Sequence, residues 1–199
     1  MNKVRGFKIR IRKPRLLSAL KQAGPLRIPE ASQEKIQGIV EEAYTLIDPA
    51  VVFDTFFEGE ELRDEVFRHI SLGSEALSGL LAGSEAFTLM AATIGERLEE
   101  RVDTLKEKDL GAAFILDAAG SEAAEQCANF VTSVLREQAG KKDCAPGKRY
   151  SPGYGDWPLE ATPRILEYIP GDKIGISLTP SGIMLPRKSI TAVQPWVSR

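Results

Sequence analysis

The chain has 199 residues, of which 43% are apolar and 27% are charged, and its formal net charge is −2. This composition is typical of one globular domain, and the charge argues against a general nucleic-acid or membrane-surface role, since both need a large basic excess. Two cysteines are too few for a disulfide framework, no apolar run could span a membrane, and the start lacks the apolar core of a signal peptide, so we expect a cytoplasmic protein.

The first 27 residues carry nine basic side chains. Phe7, Ile9 and Ile11 alternate with basic residues over 7–12, which is the period of a strand. The pattern favours an edge strand protected by its charges, and the alternative is a basic docking arm. Pro25 and Pro29 predict a turn after this segment.

Apolar spacing predicts the elements that follow, and polar residues with glycine or proline separate them. In chain order these are a helix over 31–47, a strand over 51–57, a helix over 74–82, a strand over 87–94, a helix from 95 to about 105 and a long helix over 112–135. The motif Gly-Ser-Glu-Ala begins at Gly73, Gly83 and Gly120, and we interpret its serine each time as a helix N-cap.

The long helix carries a polar stripe, because Asp117, Ser121 and Glu125 are spaced four apart and share one face. Its carboxylates could bind the ammonium group of a ligand, although a stripe that faces solvent is the favoured interpretation. The single histidine, His69, excludes a multi-histidine metal site within this chain, and a half-buried structural role is favoured over catalysis. We interpret Cys127 as a small core residue.

Residues 149–157 are the only stretch whose composition suits a ligand. Arg149 offers a planar fork for a carboxylate or phosphate, glycines let a ligand approach the main chain, and Tyr150, Tyr154 and Trp157 offer stacking faces. The stretch alone favours the alternative, an aromatic-rich surface turn with Arg149 in an ordinary salt bridge.

A linker over 141–148 precedes this stretch. After it, the pattern predicts a helix over 159–168, a turn at 170–172 and short strands over 174–178, 183–185 and 190–193. Because helices and strands are segregated along the chain, we expect an α+β domain. The sequence contains neither a Rossmann glycine fingerprint nor a P-loop lysine motif.

Two motifs together resemble a known family. Residues 149–154 read Arg-Tyr-Ser-Pro-Gly-Tyr, and residues 178–189 read Leu-Thr-Pro-Ser-Gly-Ile-Met-Leu-Pro-Arg-Lys-Ser. They resemble the Arg-x-x-x-Gly-Tyr motif and the Leu-Thr-x-Ser-x-x-Met-x-Pro-x-x-Ser segment of the reactivation domain of cobalamin-dependent methionine synthase. Residues 91–95 and 116–121 resemble segments of its short, free-standing members.

The resemblance covers roughly residues 30–195 and leaves out a basic amino-terminal segment over 1–28. It implies one α+β domain over residues 1–199, with a twisted antiparallel sheet flanked by helices. It also implies a subunit that binds S-adenosylmethionine and supports reductive remethylation of oxidised cobalamin on a separate methionine synthase or related corrinoid methyltransferase. Such a protein is a component of that enzyme, and a flavodoxin-like protein supplies the electron.

The resemblance also assigns site residues. Arg149 binds the ligand carboxylate, while Tyr150, Gly153 and Tyr154 line the adenosyl pocket. Asp54 and Glu125 are the candidates for the acid that holds the ligand's amino group. The family's cobalamin-binding Asp-x-His-x-x-Gly motif is absent around His69, so cobalamin is expected only through the partner.

Two other functions stay open. The first is a scaffold or ligand-sensing module that keeps the fold without reactivation activity. The second is a self-contained methyltransferase, which is less favoured because the chain lacks the usual glycine-rich strand-to-helix signature.

Overall fold

Strand-forming residues that alternate between two apolar faces form the centre of an antiparallel sheet. A computed structural model describes residues 1–22 and 32–199, and its sheet has the strand order β1-β2-β3-β7-β4. The strands are β1 (Asn2–Arg5), β2 (Ala50–Phe57), β3 (Ala86–Thr93), β4 (Cys144–Pro146) and β7 (Ser189–Ser198), with β5 (Ser177–Leu178) and β6 (Met184–Leu185) in a separate hairpin.

Helices cover both faces of this sheet. They are α1 (Lys13–Gln22), α2 (Ser32–Leu46), α3 (Glu61–Ser71), α4 (Glu75–Leu81), α5 (Arg97–Lys106), α6 (Leu110–Gly140) and α7 (Ala161–Tyr168). One core joins the sheet to α1, α2, α5 and α6, and a second core joins it to α3, α4 and α7. The predicted α+β fold, one domain with a twisted antiparallel sheet flanked by helices, is therefore confirmed.

The alternation of side chains along β2 shows how the two cores are separated. Val51 and Phe53 are buried in the first core, whereas Ala50, Val52 and Phe56 are buried in the second. Since successive side chains of a strand point to opposite faces, a residue's parity shows which helices it meets.

The strand predicted over residues 7–12 is wrong. The edge strand is Asn2–Arg5, and Gly6, whose φ is 66°, takes the chain off the sheet. The side chains that alternate after it pack on helices instead: Phe7 stacks on Phe130 of α6 at 3.9 Å between ring centroids, and Ile11 is buried. The turn predicted at Pro25 and Pro29 lies outside the described residues.

Other predicted elements are confirmed with changed bounds. The helix over 31–47, the strands over 51–57 and 87–94, and the helices over 74–82, 95–105, 112–135 and 159–168 all occur. The strand expected over 174–178 shrinks to Ser177–Leu178 because Gly171–Ile174 forms a 3-10 turn. The linker over 141–148 contains β4, and the strand over 190–193 extends to Ser198.

Only one of the three Gly-Ser-Glu-Ala motifs caps a helix. The Ser74 hydroxyl accepts the Leu77 N–H at the start of α4. Ser84 leads into β3, and Ser121 lies inside α6, where its hydroxyl donates to the Asp117 carbonyl. Apolar spacing that continues through residues 112–135 outweighs a local capping signal there.

No helix among residues 1–22 and 32–199 is long and apolar enough to cross a membrane.

Candidate functional site

The loop over residues 149–157 is fastened to the edge of the sheet by a single pair of residues. Tyr150 and Val193 exchange two backbone hydrogen bonds, of 2.9 and 2.8 Å. Beyond this pair the chain leaves β7, so within the described chain residues 189–192 have a strand partner only on the β3 side. The loop therefore begins where one edge of the sheet opens.

Inside the loop, Tyr150 and Trp157 stack on each other. The Tyr150 hydroxyl donates to the Tyr154 carbonyl at 2.6 Å, and the Tyr150 ring stacks on Trp157 with centroids 5.7 Å apart and planes 9° from parallel. Trp157 is only 1% exposed and donates its indole N–H to the Ile70 carbonyl. Its ring therefore belongs to the core, and the stacking face expected of it is not accessible to a ligand.

Both glycines of the loop are required by their backbone conformation and by a close neighbour. Gly153 and Gly155 both have positive φ, of 89° and 56°. A side chain at Gly155 would collide with the Tyr150 hydroxyl group, and one at Gly153 would start 2.8 Å from Leu159. The loop thus passes close to the Tyr150 ring at Gly155 and close to Leu159, which precedes α7, at Gly153.

Asp156 fastens the far end of the loop to α4. Its carboxylate accepts hydrogen bonds from the Ser74 hydroxyl at 2.6 Å and from the backbone N–H groups of Glu75 and Ala76. These bonds, of which the one from Ser74 is the largest influence, hold the pKa of Asp156 below its ordinary value of 3.8. Asp156 is therefore a structural residue of this loop.

This assignment predicts a pH dependence. Because the folded-state pKa of Asp156 is lowered, its stabilising contribution is complete above the unfolded pKa and is lost as the pH falls through the folded pKa. We expect Asp156→Asn to be less stable than the wild type at about pH 7, with a gap that narrows towards about pH 2. Urea unfolding at several pH values measures the gap, and a gap that stays constant over that range would contradict the assignment.

Arg149 points away from Tyr150, towards α6. Its Nη2 lies 2.5 Å from Glu125 Oε2 and its Nη1 donates to Asn129 Oδ1 at 3.2 Å. The arginine side chain is 17% exposed and that of Glu125 is 50% exposed. The structure thus brings together two of the residues selected from the sequence, in a salt bridge of which the carboxylate is the more accessible half.

The polar stripe of α6 meets a second cation two turns earlier. Lys188 Nζ lies 2.8 Å from both Asp117 Oδ1 and Ser121 Oγ. The preceding segment is held by Glu99 of α5, which accepts the Lys188 backbone N–H and pairs with Arg187. The stripe expected to face solvent therefore binds one basic side chain from each of two separate loops.

A cleft of about 790 Å³ opens between α7 and the β5–β6 hairpin. Residues 159, 160, 162 and 163 form one wall, and residues 178–184 with Arg187 form the other. Leu159, which contacts Gly153, connects this cleft to the loop. The two segments that the sequence singled out, 149–154 and 178–189, therefore both lie next to Leu159, just before α7.

Sequence reasoning missed Asn129, Lys188 and Glu99. Asn129 had a readable signal, because it follows Glu125 by four residues and extends the same stripe. Lys188 and Glu99 had none, since their contacts join segments far apart in the chain.

Asp54 lies away from Arg149. It shares the parity of Val52 and Phe56, which face the second core, whereas Arg149 reaches α6 on the first. Its carboxylate pairs with the amino terminus of Met1 at 2.8 Å. Asp54 and the Arg149 guanidinium are thus on opposite faces of the sheet.

His69 joins two helices. Its Nδ1 lies 3.0 Å from the Tyr168 hydroxyl, and its carbonyl accepts a bond from Arg164 of α7. Burial, with the nearby carboxylates of Glu65 and Glu167, raises the pKa of Tyr168. These contacts fit the structural role favoured for His69.

Burial raises the pKa of the Cys127 thiol to about 12, so this cysteine stays protonated. Among residues 1–22 and 32–199, no three His, Cys, Asp or Glu side chains are grouped to hold a metal ion.

Comparison with known proteins gives a likeness in fold. The chain matches no protein-family model and no curated protein sequence. It is similar to a crystal structure of the MetH reactivation domain bound to AdoHcy, with a TM-score of 0.58 and 16% sequence identity. The match covers 90% of this chain and 72% of the other. At this identity the likeness shows a shared fold.

Proposed function

We propose that this chain binds S-adenosylmethionine and acts as a reactivation subunit for a separate cobalamin-dependent methionine synthase or related corrinoid methyltransferase. The support is the combination of a fold shared with a reactivation domain that binds AdoHcy and a salt bridge, Arg149–Glu125, at the loop that carries the Arg-x-x-x-Gly-Tyr motif.

The salt bridge carries the proposal because its two charges match the two charges of an amino-acid head group. The ligand's carboxylate needs a guanidinium, and its ammonium group needs a carboxylate. Arg149 and Glu125 present both, side by side, on elements that are fixed by the sheet edge and by α6. A ligand that enters between them replaces one internal ion pair by two intermolecular ones.

Some residues of the loop stabilise its conformation, and others are free to contact a ligand. Both backbone groups of Tyr150 bond to Val193, its hydroxyl bonds to Tyr154, and the Gly153 N–H donates to the Trp157 carbonyl. We therefore assign Tyr150 and Gly153 to shaping the loop. The Tyr154 ring is 66% exposed and is assigned to contact with the adenosyl group.

We assign the rest of the ligand to the cleft next to Leu159, which contacts Gly153, although neither Arg149 nor Tyr154 lines this cleft. Its volume of about 790 Å³ falls within the range of roughly 300–1,000 Å³ that small-molecule sites occupy. Leu159 and Pro163 give it an apolar wall, Thr162 adds a hydroxyl, and Glu160 and Arg187 add one charge of each sign. Residues 178–184 then close the side opposite the loop.

The proposed reaction demands positioning. Bound S-adenosylmethionine supplies an electrophilic methyl group, which must be held in line with a cobalt carried by the partner while a flavodoxin-like protein supplies the electron. Fixing such a geometry lowers a barrier by several kcal/mol without an acid or a base. Arg149 and Glu125 would hold the head group, and cobalamin would come only with the partner.

Calorimetric titration with S-adenosylmethionine tests the proposal, with Glu125→Gln as the informative variant. Loss of one charge-assisted hydrogen bond to the ammonium group costs about 1.5–3 kcal/mol, so we expect affinity to fall roughly 10- to 150-fold. Glu122→Gln is the matched control, because Glu122 is also on α6 and pairs with another arginine, Arg12. Equal affinities for wild type and Glu125→Gln would contradict the assignment of Glu125 to the ligand's ammonium group.

A second candidate is a scaffold or ligand-sensing module without reactivation activity. One observation favours it: Arg149 already has two partners within the fold, Glu125 and Asn129. The two functions differ in whether oxidised cobalamin enzyme, reductant, S-adenosylmethionine and this chain together form methylcobalamin. Its formation supports the subunit, and its absence with tight ligand binding supports the sensor.

A further inference from the structure

The charge of this protein is divided sharply along the chain. Of its 26 basic side chains eight lie in residues 1–22, and none of its 28 acidic side chains does. The rest of the chain consequently carries an excess of ten negative charges. The small net charge is thus the sum of a basic segment, residues 1–22, and an acidic remainder.

Most of these cations are free of ion pairs. Arg5 lies 4.0 Å from Asp48, and Arg12 bonds to Glu122 at 3.0 Å. The other six are exposed and have no ion-pair partner among residues 1–22 and 32–199. They are Lys3, Lys8, Arg10, Lys13, Arg15 and Lys21. We call these six side chains the basic face.

Protection of an edge strand does not explain the basic face. The edge strand β1 ends at Arg5, so only Lys3 of the six belongs to it. The others lie on the extended segment after Gly6 and on α1, where there is no strand edge to guard. Of the two interpretations the sequence left open, the docking arm accounts for more of the charge.

The segment that carries the basic face is fixed in place. Phe7 stacks on Phe130, and the Ile11 backbone N–H donates to the Tyr44 hydroxyl at 2.8 Å. Leu16 and Leu20 of α1 are buried in the core. Phe7, Ile9 and Ile11 are partly or fully buried, whereas Lys8 and Arg10 between them are exposed. The backbone that carries these cations is thus held in place by its apolar contacts.

We propose that the basic face docks a protein partner whose own contact surface is acidic. Carboxylates of the protein itself lie next to these cations, since Glu122 pairs with Arg12 and lines a pocket together with Arg15. A local patch of carboxylates can pair with the exposed cations over a small contact area, whereas a nucleic acid or an anionic membrane extends its charge over a larger area and is also repelled by the neighbouring acids. In residues 1–22 the single aromatic, Phe7, is already stacked, so no ring is free for a base. Leu17 is the one exposed large apolar side chain of α1, too little for membrane insertion.

The test is binding of three probes to the full chain at about 50 mM salt: a polyglutamate peptide, a short DNA duplex and vesicles containing phosphatidylserine. We expect the polyglutamate peptide to bind best. The affinity for the polyglutamate peptide should be at least roughly tenfold lower in the variant Lys8→Glu/Arg10→Glu/Lys13→Glu than in the wild type. The affinity of the wild type should fall as the salt concentration rises.

The matched control is Lys108→Glu/Lys141→Glu/Lys148→Glu, which makes the same change in net charge away from the basic face. Its polyglutamate affinity should fall no more than about twofold. Equal losses in the two triple variants, or tighter binding of DNA or vesicles than of polyglutamate, would overturn the proposal. The neutral set Lys8→Gln/Arg10→Gln/Lys13→Gln provides the same comparison if the reversed charges impair folding. The proposal is independent of S-adenosylmethionine binding.

Discussion

Trp157→Ala is expected to destabilise the protein by about 3–5 kcal/mol, the range for removing a large buried aromatic side chain. Trp157 is almost fully buried, stacks on Tyr150 and donates its indole N–H to Ile70 of α3. Its loss leaves a cavity and an unpaired carbonyl beneath the loop over 149–157. Urea unfolding monitored by circular dichroism measures the change.

Tyr154→Ala is the matched control for Trp157→Ala. Both variants remove an aromatic ring from the same loop, but the Tyr154 side chain is mostly exposed. Its removal should change the free energy of unfolding by no more than about 0.5 kcal/mol. If the two variants were equally stable, Trp157 would not be the support of the loop.

Arg149→Ala is expected to weaken S-adenosylmethionine binding by about 2–3 kcal/mol, or roughly 30- to 150-fold. The variant loses the guanidinium for the ligand carboxylate and leaves Glu125 without its internal partner. Calorimetry on the two proteins gives the ratio of affinities. Arg149→Lys should fall between them, because an ammonium group cannot make the bidentate contact.

Arg101→Ala is the control for Arg149→Ala. Arg101 on α5 pairs with Glu42 at 2.6 Å, so this variant also removes an arginine–glutamate pair, but one without contact to the loop. Its affinity for the ligand should match the wild type. Unchanged affinity in Arg149→Ala would instead mean that the Arg149–Glu125 pair is only structural, as the loop's composition alone suggested.

Elements with strong local patterns were predictable from sequence. Helix α6 has apolar residues at helical spacing over most of its length, and β2 and β3 are dense in strand formers. Helix α3 was missed because its acidic first turn reads as a solvated loop and only Val66 and Ile70 are buried. Strand β7 was cut short because Pro195 breaks its pattern.

Some residues of the candidate site could likewise be predicted from the sequence, and others could not. Arg149, Tyr154 and the loop glycines were visible because their residue types are unusual together, and Glu125 was visible from its spacing on α6. The burial of Trp157 and the capping by Asp156 were not, since both depend on α3 and α4 packing against the loop. Contacts between separate elements leave no local periodicity to read.

The position of β7 affects when the site can form. It follows α6 and the loop in the chain, yet it lies between β3 and β4 in the sheet, and the loop is fastened to it through Val193. Pairing between such distant segments is a late and slow event in folding. During synthesis Arg149 and Glu125 leave the ribosome before the strand that positions the loop. The ability to bind a ligand is therefore expected to appear only when the sheet is complete, which makes ligand binding a direct report of finished folding.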